Sequence, residues 1–155
     1  ECDGEQRTEA AMSEAKQKLV FMVTHGPDDQ EMSTIPFVMA NAALAMDVEV
    51  LMGFQGKGAF LVMQGMADHV VAAGFPPLKD LLASYQEAGG RMYVCGPCAG
   101  SRAIDKSQLV EGATIVGAAA FVSECLGATQ VLVYCAFARR HRQKRVLVAR
   151  RRGAG

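Results

Sequence analysis

Four short, nearly unbroken apolar runs constrain this chain more than any other feature: LVFMVT at 19–24, VEVLMGF at 48–54, RMYVC at 91–95 and QVLVYCAF at 130–137. A strand with one wet face alternates apolar and polar residues. A run that is apolar throughout and bounded by turn residues belongs to a strand covered on both faces, the habit of parallel sheets. Segments with helical character lie between these runs. IPFVMANAALAM at 35–46 reads as a strongly apolar helix, with Asp28 or Asp29 as its cap and Pro36 near its start, where the first turn tolerates the ring. LKDLLASYQEAGG at 78–90 places apolar residues at 78, 81, 82 and 85, one helical face, and closes on Gly89-Gly90. AFLVMQGM at 59–66 is a short helix or turn, residues 105–112 are a connecting turn, and TIVGAAAFVSECLGA at 114–128 reads as one helix of small residues. Strand and helix in alternation with short connections predict βαβ units and a mainly parallel sheet covered on both sides. Ligands of such sheets bind outside the carboxyl ends of the strands. His25, the 55–58 loop and Cys95 each follow a strand and are therefore expected on one rim.

The length, 155 residues, suits one domain, and a 50% hydrophobic composition is far from that of a disordered chain. The longest apolar stretch, at 115–122, is well short of the roughly 18–20 residues that a membrane helix needs. No membrane association is expected. The zero net charge hides a polar division, because residues 139–155 hold eight of the sixteen Lys/Arg and none of the sixteen Asp/Glu. Residues 1–17 read as a flexible leader, 18–138 as the folded body and 139–155 as a basic, solvated tail. An RNA-binding arm is a side reading of that tail.

The five cysteines, Cys2, Cys95, Cys98, Cys125 and Cys135, are odd in number, and no secretory signal is visible. A disulfide scaffold is disfavoured, and a reducing, cytoplasmic setting is expected. Cys125 and Cys135 sit in apolar contexts and read as core. Cys95 ends a strand and enters Gly96-Pro97-Cys98-Ala99-Gly100-Ser101-Arg102, a helical turn whose first amides face its sulfur. A helix N-terminus lowers a thiol's pKa, and the resulting thiolate attacks disulfides, persulfides and other sulfur electrophiles. Cys98 reads three ways: a resolving thiol that closes a disulfide with Cys95, half of a metal site, or a passive small residue. The CxxC arrangement favours the first, because structural zinc wants two such pairs and His25, His69 and His141 lack ligand spacing. No metal or cofactor is expected. CGPC is the thioredoxin tetrapeptide, but the chain contains no Trp, and two βα units precede it. His25, with Gly26 beside it, is placed to orient or protonate a substrate at the rim; the alternative is an ordinary loop histidine. Gly56-Lys57-Gly58 offers an anion cradle without the full pattern of any nucleotide fingerprint.

Three blocks, in this order, resemble the DsrE/DsrF-like family: KLVFMVTHGPDDQEMSTIPFVMANAALAMDVEVLMGFQGKGAFLV, GFPPLKDLLASYQEAGGRMYVCGPCAGSRAI and LVEGATIVGAAAFVSECLGATQVLVY. The likeness spans residues 18–135. It implies a three-layer α/β/α flavodoxin-like domain with a five-stranded, mainly parallel sheet, and assembly as a homo-oligomer, often a trimer or hexamer. It also implies a persulfide on the strand-end cysteine, here Cys95. That sulfur passes between donor and acceptor proteins or comes from small sulfane-sulfur species. Cys98 is an addition to the family pattern. On this view Cys95 and Cys98 are the reactive pair. His25, Gly26, Gly96, Ser101 and Arg102 surround the substrate, with the 96–101 backbone and Arg102 stabilising the anion. Two other readings stand beside the sulfur carrier: a CxxC dithiol–disulfide redox protein, and a non-catalytic assembly module built on the 114–128 segment.

Overall fold

The structure, a computed structural model, describes residues 17–135. The 1–16 part of the expected leader and the basic tail at 139–155 lie outside the described residues, as do Cys2 and His141. Nine elements follow one another: β1 (Lys18–Val23), α1 (Gln30–Ala45), β2 (Glu49–Phe54), α2 (Leu78–Glu87), β3 (Arg91–Cys95), α3 (Gly96–Gly100), β4 (Ala113–Val116), α4 (Ala118–Leu126) and β5 (Gln130–Tyr134). Short 3-10 helices at Gly56–Val62, Met66–His69 and Lys106–Gln108 fill the connections. The five strands form one sheet in the order β4-β3-β2-β1-β5, every pairing parallel. Their carboxyl ends therefore share one edge.

Two cores flank the sheet. On one face, Phe21, Val23, Val50, Met52, Phe54, Met92 and Val94 meet Phe37 of α1 and Leu82 and Tyr85 of α2. Phe37 stands tilted against Phe54 and edge-on to Tyr85, with ring centroids 5.9 and 6.3 Å apart. The Tyr85 hydroxyl would be costly if left unpaired in this core. It donates to the main-chain oxygens of Arg91, at 2.7 Å, and Val50, at 3.3 Å. On the other face the helical cover is α4, whose Phe121 packs on Val20, Met22 and Leu51. Gly53 makes this possible: a Cβ there would lie 2.5 Å from the Phe121 ring and 2.9 Å from Met22 Sδ.

α4 is held at its far end by charge. Glu124 accepts from Lys18, Arg91 and the Tyr93 hydroxyl, and Arg91 also donates to Glu49 at 3.0 Å. Burial works against ionising Glu124, but the hydrogen bonds from Arg91, Lys18 and Tyr93 outweigh it and bring its pKa down to about 2.

The structure corrects four readings of the sequence. The segment 114–128 is not one helix: Ala113–Val116 is an edge strand, and the helix starts only at Ala118. Helix α1 begins five residues before the apolar run read as the helix, and of the two cap candidates it is Asp29 that starts it, its Oδ1 accepting the Met32 N–H at 3.1 Å. Pro36 consequently lies in the second turn, where its missing N–H gives up one helical bond, and its ring is buried in the core instead. Cys125 is half-buried against the α4-side core and Cys135 is exposed, so neither is fully core.

The Glu124 cluster makes a stability prediction. Its folded pKa lies below its unfolded value, so its contribution is present above about pH 4.5 and is lost as the pH falls toward 2. Glu124→Gln is expected to destabilise the domain by about 1–3 kcal/mol at pH 7. Denaturant titrations should show that gap narrowing between pH 5 and pH 2.

Candidate functional site

Cys95 is the last residue of β3, and its main chain leaves the strand directly into α3. Pro97 in the first turn of α3 fixes that exit, since its ring pre-sets a helical φ and its absent N–H costs nothing there. Gly96 keeps the turn against β4: a Cβ would lie 3.2 Å from the Val116 carbonyl. One turn on, Cys98 returns its sulfur to within 2.6 Å of Cys95 Sγ. A disulfide bond is about 2.05 Å long, so both sulfurs reach it through a small side-chain adjustment. Both thiols are free and half-buried.

The neighbouring strand supplies the other wall. After β2 the chain turns through Gln55, Gly56, Lys57 and Gly58 across the ends of β1 and β3. Gln55 N–H donates to Val23 O at 2.9 Å, and Gly58 N–H donates to Thr24 O at 3.2 Å. Gly58 is required, because any Cβ would run into the Val23 carbonyl, and Gly26 is required for the same reason against the Lys57 main chain. With the loop so placed, the Gly56 N–H points at Cys98 and donates to its sulfur at 3.2 Å. Arg102 donates to the Cys98 carbonyl at 3.0 Å and to Ser101 Oγ at 3.1 Å, while Ser101 Oγ donates to the same carbonyl at 3.1 Å. The Arg102 guanidinium lies over the Phe60 ring, 5.7 Å from its centroid.

The expected fall in the Cys95 pKa is reversed. Burial pushes the thiol up, and the adjacent Cys98 thiol adds to this; the Cys98 backbone amide and the Arg102 charge pull the other way without prevailing. The physical reason is desolvation: Cys95 packs at the edge of the α4-side core, where losing water disfavours the charged thiolate.

His25 lies on the same rim but in a separate hollow of about 310 Å³, lined by Thr24, His25, Gly26, Asp28, Asp29 and Lys57. Its side chain is nine-tenths buried, with Nε2 3.9 Å from Asp29 Oδ2 and Nδ1 buried without a hydrogen-bond partner among the described residues. Lys57 is paired with Asp28 at 2.6 Å and holds that carboxyl below its ordinary value. The glycine-rich loop is thus no open anion cradle: its lysine is engaged, and one of its amides serves Cys98. Gly26 shapes this hollow and accepts from Asp29 N–H and Ser33 Oγ. A second hollow, about 430 Å³, lies near Ala83, Gly90, Met92 and Glu111, toward the opposite ends of the strands. Its lining contains no thiol. Among the described residues no three His, Cys, Asp or Glu side chains gather where a metal ion would sit.

The fold therefore brings Cys95, Cys98, Gly96, Ser101 and Arg102 together and sets His25 and Gly26 one loop away. Sequence reasoning placed the 55–58 loop on this rim but did not pair the Gly56 amide with Cys98, and it missed the Phe60 platform. Phe60 carried no signal.

Because burial raises the Cys95 pKa, its reactivity should respond to pH at the alkaline end. The rate of Cys95 alkylation by iodoacetamide, followed by peptide mass spectrometry, is expected to keep climbing where a free cysteine, with a pKa of about 8.5, has levelled off.

Comparison with known proteins places the chain. It is 32% identical over 120 residues to the uncharacterized protein MJ0760 of Methanocaldococcus jannaschii, a match that covers 77% of this chain and 44% of that protein. The chain thus spans less than half the length of this curated relative. The crystal structure of YchN from E. coli superposes with a TM-score of 0.66 over 76% of this chain and 99% of that one, at 17% identity, a likeness of fold. That likeness agrees with the five-stranded parallel sheet and its helices on both faces, the expected flavodoxin-like α/β architecture. No helix among the described residues is long and apolar enough to cross a membrane. The model of the DsrE/DsrF-like family matches residues 17–134, essentially all of the described chain, and the protein belongs to that family.

Proposed function

We propose that this protein takes up sulfane sulfur on Cys95 as a persulfide and passes it on within a sulfur relay. One observation carries the reading: a half-buried thiol stands at the carboxyl end of β3, at the mouth of a turn built from Gly96, Cys98, Ser101 and Arg102. The Cys95 thiolate attacks the outer sulfur of a donor persulfide or polysulfide, the donor leaves as a thiolate or shortened polysulfide, and Cys95 holds the sulfur. Burial that disfavours the thiolate also makes the ionised form a stronger nucleophile, since nucleophilicity rises with thiol pKa. The Cys98 backbone amide and the Arg102 charge both favour negative charge on the Cys95 sulfur, and in this reading they stabilise the persulfide anion. Donor and acceptor are sulfur-carrying proteins or small sulfane-sulfur species.

The proximity of the two sulfurs favours a second reading, a dithiol–disulfide redox protein that carries no sulfur atom. Self-association belongs to the proposal as well. Val122 and Leu126 on α4 and Val131 and Val133 on β5 are exposed apolar residues on adjoining elements. Val133→Lys is expected to shift the protein to smaller species in sedimentation velocity; an unchanged profile would remove this face from the assembly.

The carrier reading is tested in a background carrying Cys2→Ser, Cys125→Ser and Cys135→Ser, incubated with inorganic polysulfide and weighed intact before and after reductant. The expected result is a reducible gain of sulfur that Cys95→Ser abolishes. Equal uptake by Cys95→Ser would sink the proposal. Loss of two hydrogens with no sulfur gained at any time would establish the redox reading instead.

A further inference from the structure

Cys98 is placed for a step that a simple carrier does not need. Its sulfur lies 2.6 Å from Cys95 Sγ, the atom that becomes the inner sulfur of a Cys95 persulfide. The Gly56 N–H donates to Cys98 Sγ from across the rim, and Ser101 and Arg102 tie down the Cys98 carbonyl. Three groups, one on the loop after β2 and two on the turn after α3, thus fix this residue against its neighbour.

A thiol can attack a persulfide at either sulfur. Attack on the outer sulfur moves it to the attacker; attack on the inner sulfur expels the outer one and leaves a disulfide. Cys98 is in contact with the inner position. Resting on the carrier reading above, we infer that Cys98 expels the sulfur held by Cys95 as hydrosulfide, so that the protein reduces sulfane sulfur. The Cys98 sulfur bonds to Cys95 Sγ as the bond from Sγ to the outer sulfur breaks. The outer sulfur leaves with that electron pair and takes the proton from the Cys98 thiol. A persulfide anion and a thiol become one disulfide and one hydrosulfide ion, with no atom or charge left over. The two electrons that reduce the sulfur come from the cysteine pair, which is left oxidised. An external dithiol or low-molecular-weight thiol restores it and is itself oxidised to a disulfide.

The geometry supports this direction in two ways. The contact between the sulfurs makes the attack effectively intramolecular, with the entropy cost already met by folding. The Gly56 amide offers a hydrogen bond to the Cys98 sulfur, which favours the negative charge that develops there as the proton departs.

The test compares Cys98→Ser with the protein that retains both cysteines, each in the triple-serine background used above. Both are reduced, loaded without oxygen with inorganic polysulfide, desalted, and followed by intact mass and by trapping of free sulfide with bromobimane. The variant is expected to keep its added sulfur. The protein with both cysteines should lose it at least about tenfold faster, since proximity accelerates the attack. It should release sulfide in step and finish two hydrogens lighter than its reduced form, with the bridge mapped to Cys95 and Cys98. If it holds the added sulfur as long as Cys98→Ser does, expulsion is overturned while the carrier reading stands. If the sulfur is instead found on Cys98, attack falls on the outer atom and expulsion is again overturned. If Cys98→Ser takes up no sulfur at all, the carrier reading fails and this step fails with it.

Discussion

The rim of this molecule depends on a set of main-chain contacts made by the loop after β2. Gln55 and Gly58 donate to the carbonyls of Val23 and Thr24, closing the loop onto the end of the neighbouring strand β1. That approach needs glycine at 58 and at 26, because no side-chain carbon fits between the two backbones. The same closure aims the Gly56 amide at Cys98, in the helical turn that follows β3. One loop of four residues therefore joins three strand ends, and the cysteine pair receives a hydrogen bond that its own CxxC turn does not supply.

The two faces of the sheet are built differently. One carries a broad core of aromatic and aliphatic side chains under α1 and α2. The other carries a smaller core under α4, a helix of nine residues whose far end is secured by Glu124 among Lys18, Arg91 and Tyr93. Cys95 packs at the edge of this smaller core. Its burial there pushes its pKa up: desolvation, helped by the Cys98 thiol, outweighs the Cys98 backbone amide and the Arg102 charge. Under the proposed function, a thiol that is buried on one side and touched by a second thiol on the other suits directed sulfur exchange better than indiscriminate oxidation.

Much of the fold was legible because its signals are local. The runs at 19–24, 48–54 and 91–95 are apolar on both faces, and they became β1, β2 and β3 to within a residue at each end. The run at 130–137 supplied β5, which ends at Tyr134, although it lies on a sheet edge with Val131 and Val133 exposed. β4 was hidden because its four residues run through Gly117 into an alanine-rich helix, and pairing with β3 alone decides their conformation. The β-branched Thr114-Ile115-Val116 was the one available hint. The early start of α1 turned on Asp29 as cap; with that fixed, tertiary burial of the Pro36 ring tolerated a residue that local rules place at a helix start.

The sequence by itself determined the class of fold and the position of a thiol at the end of a strand. Periodicity and punctuation fix which segments are strands and helices, and a strand-end cysteine followed by a Gly-Pro step places a thiol at a sheet rim whatever the details of packing. Only the tertiary structure decided what surrounds that thiol. The Gly56 amide on Cys98, the guanidinium of Arg102 over Phe60, the separation of His25 into its own hollow and the upward push on the Cys95 pKa all arise between residues distant in the chain. Such contacts depend on how closely backbones approach and on how much water is excluded. Both are properties of the packed sheet as a whole, and no local pattern of residues encodes them.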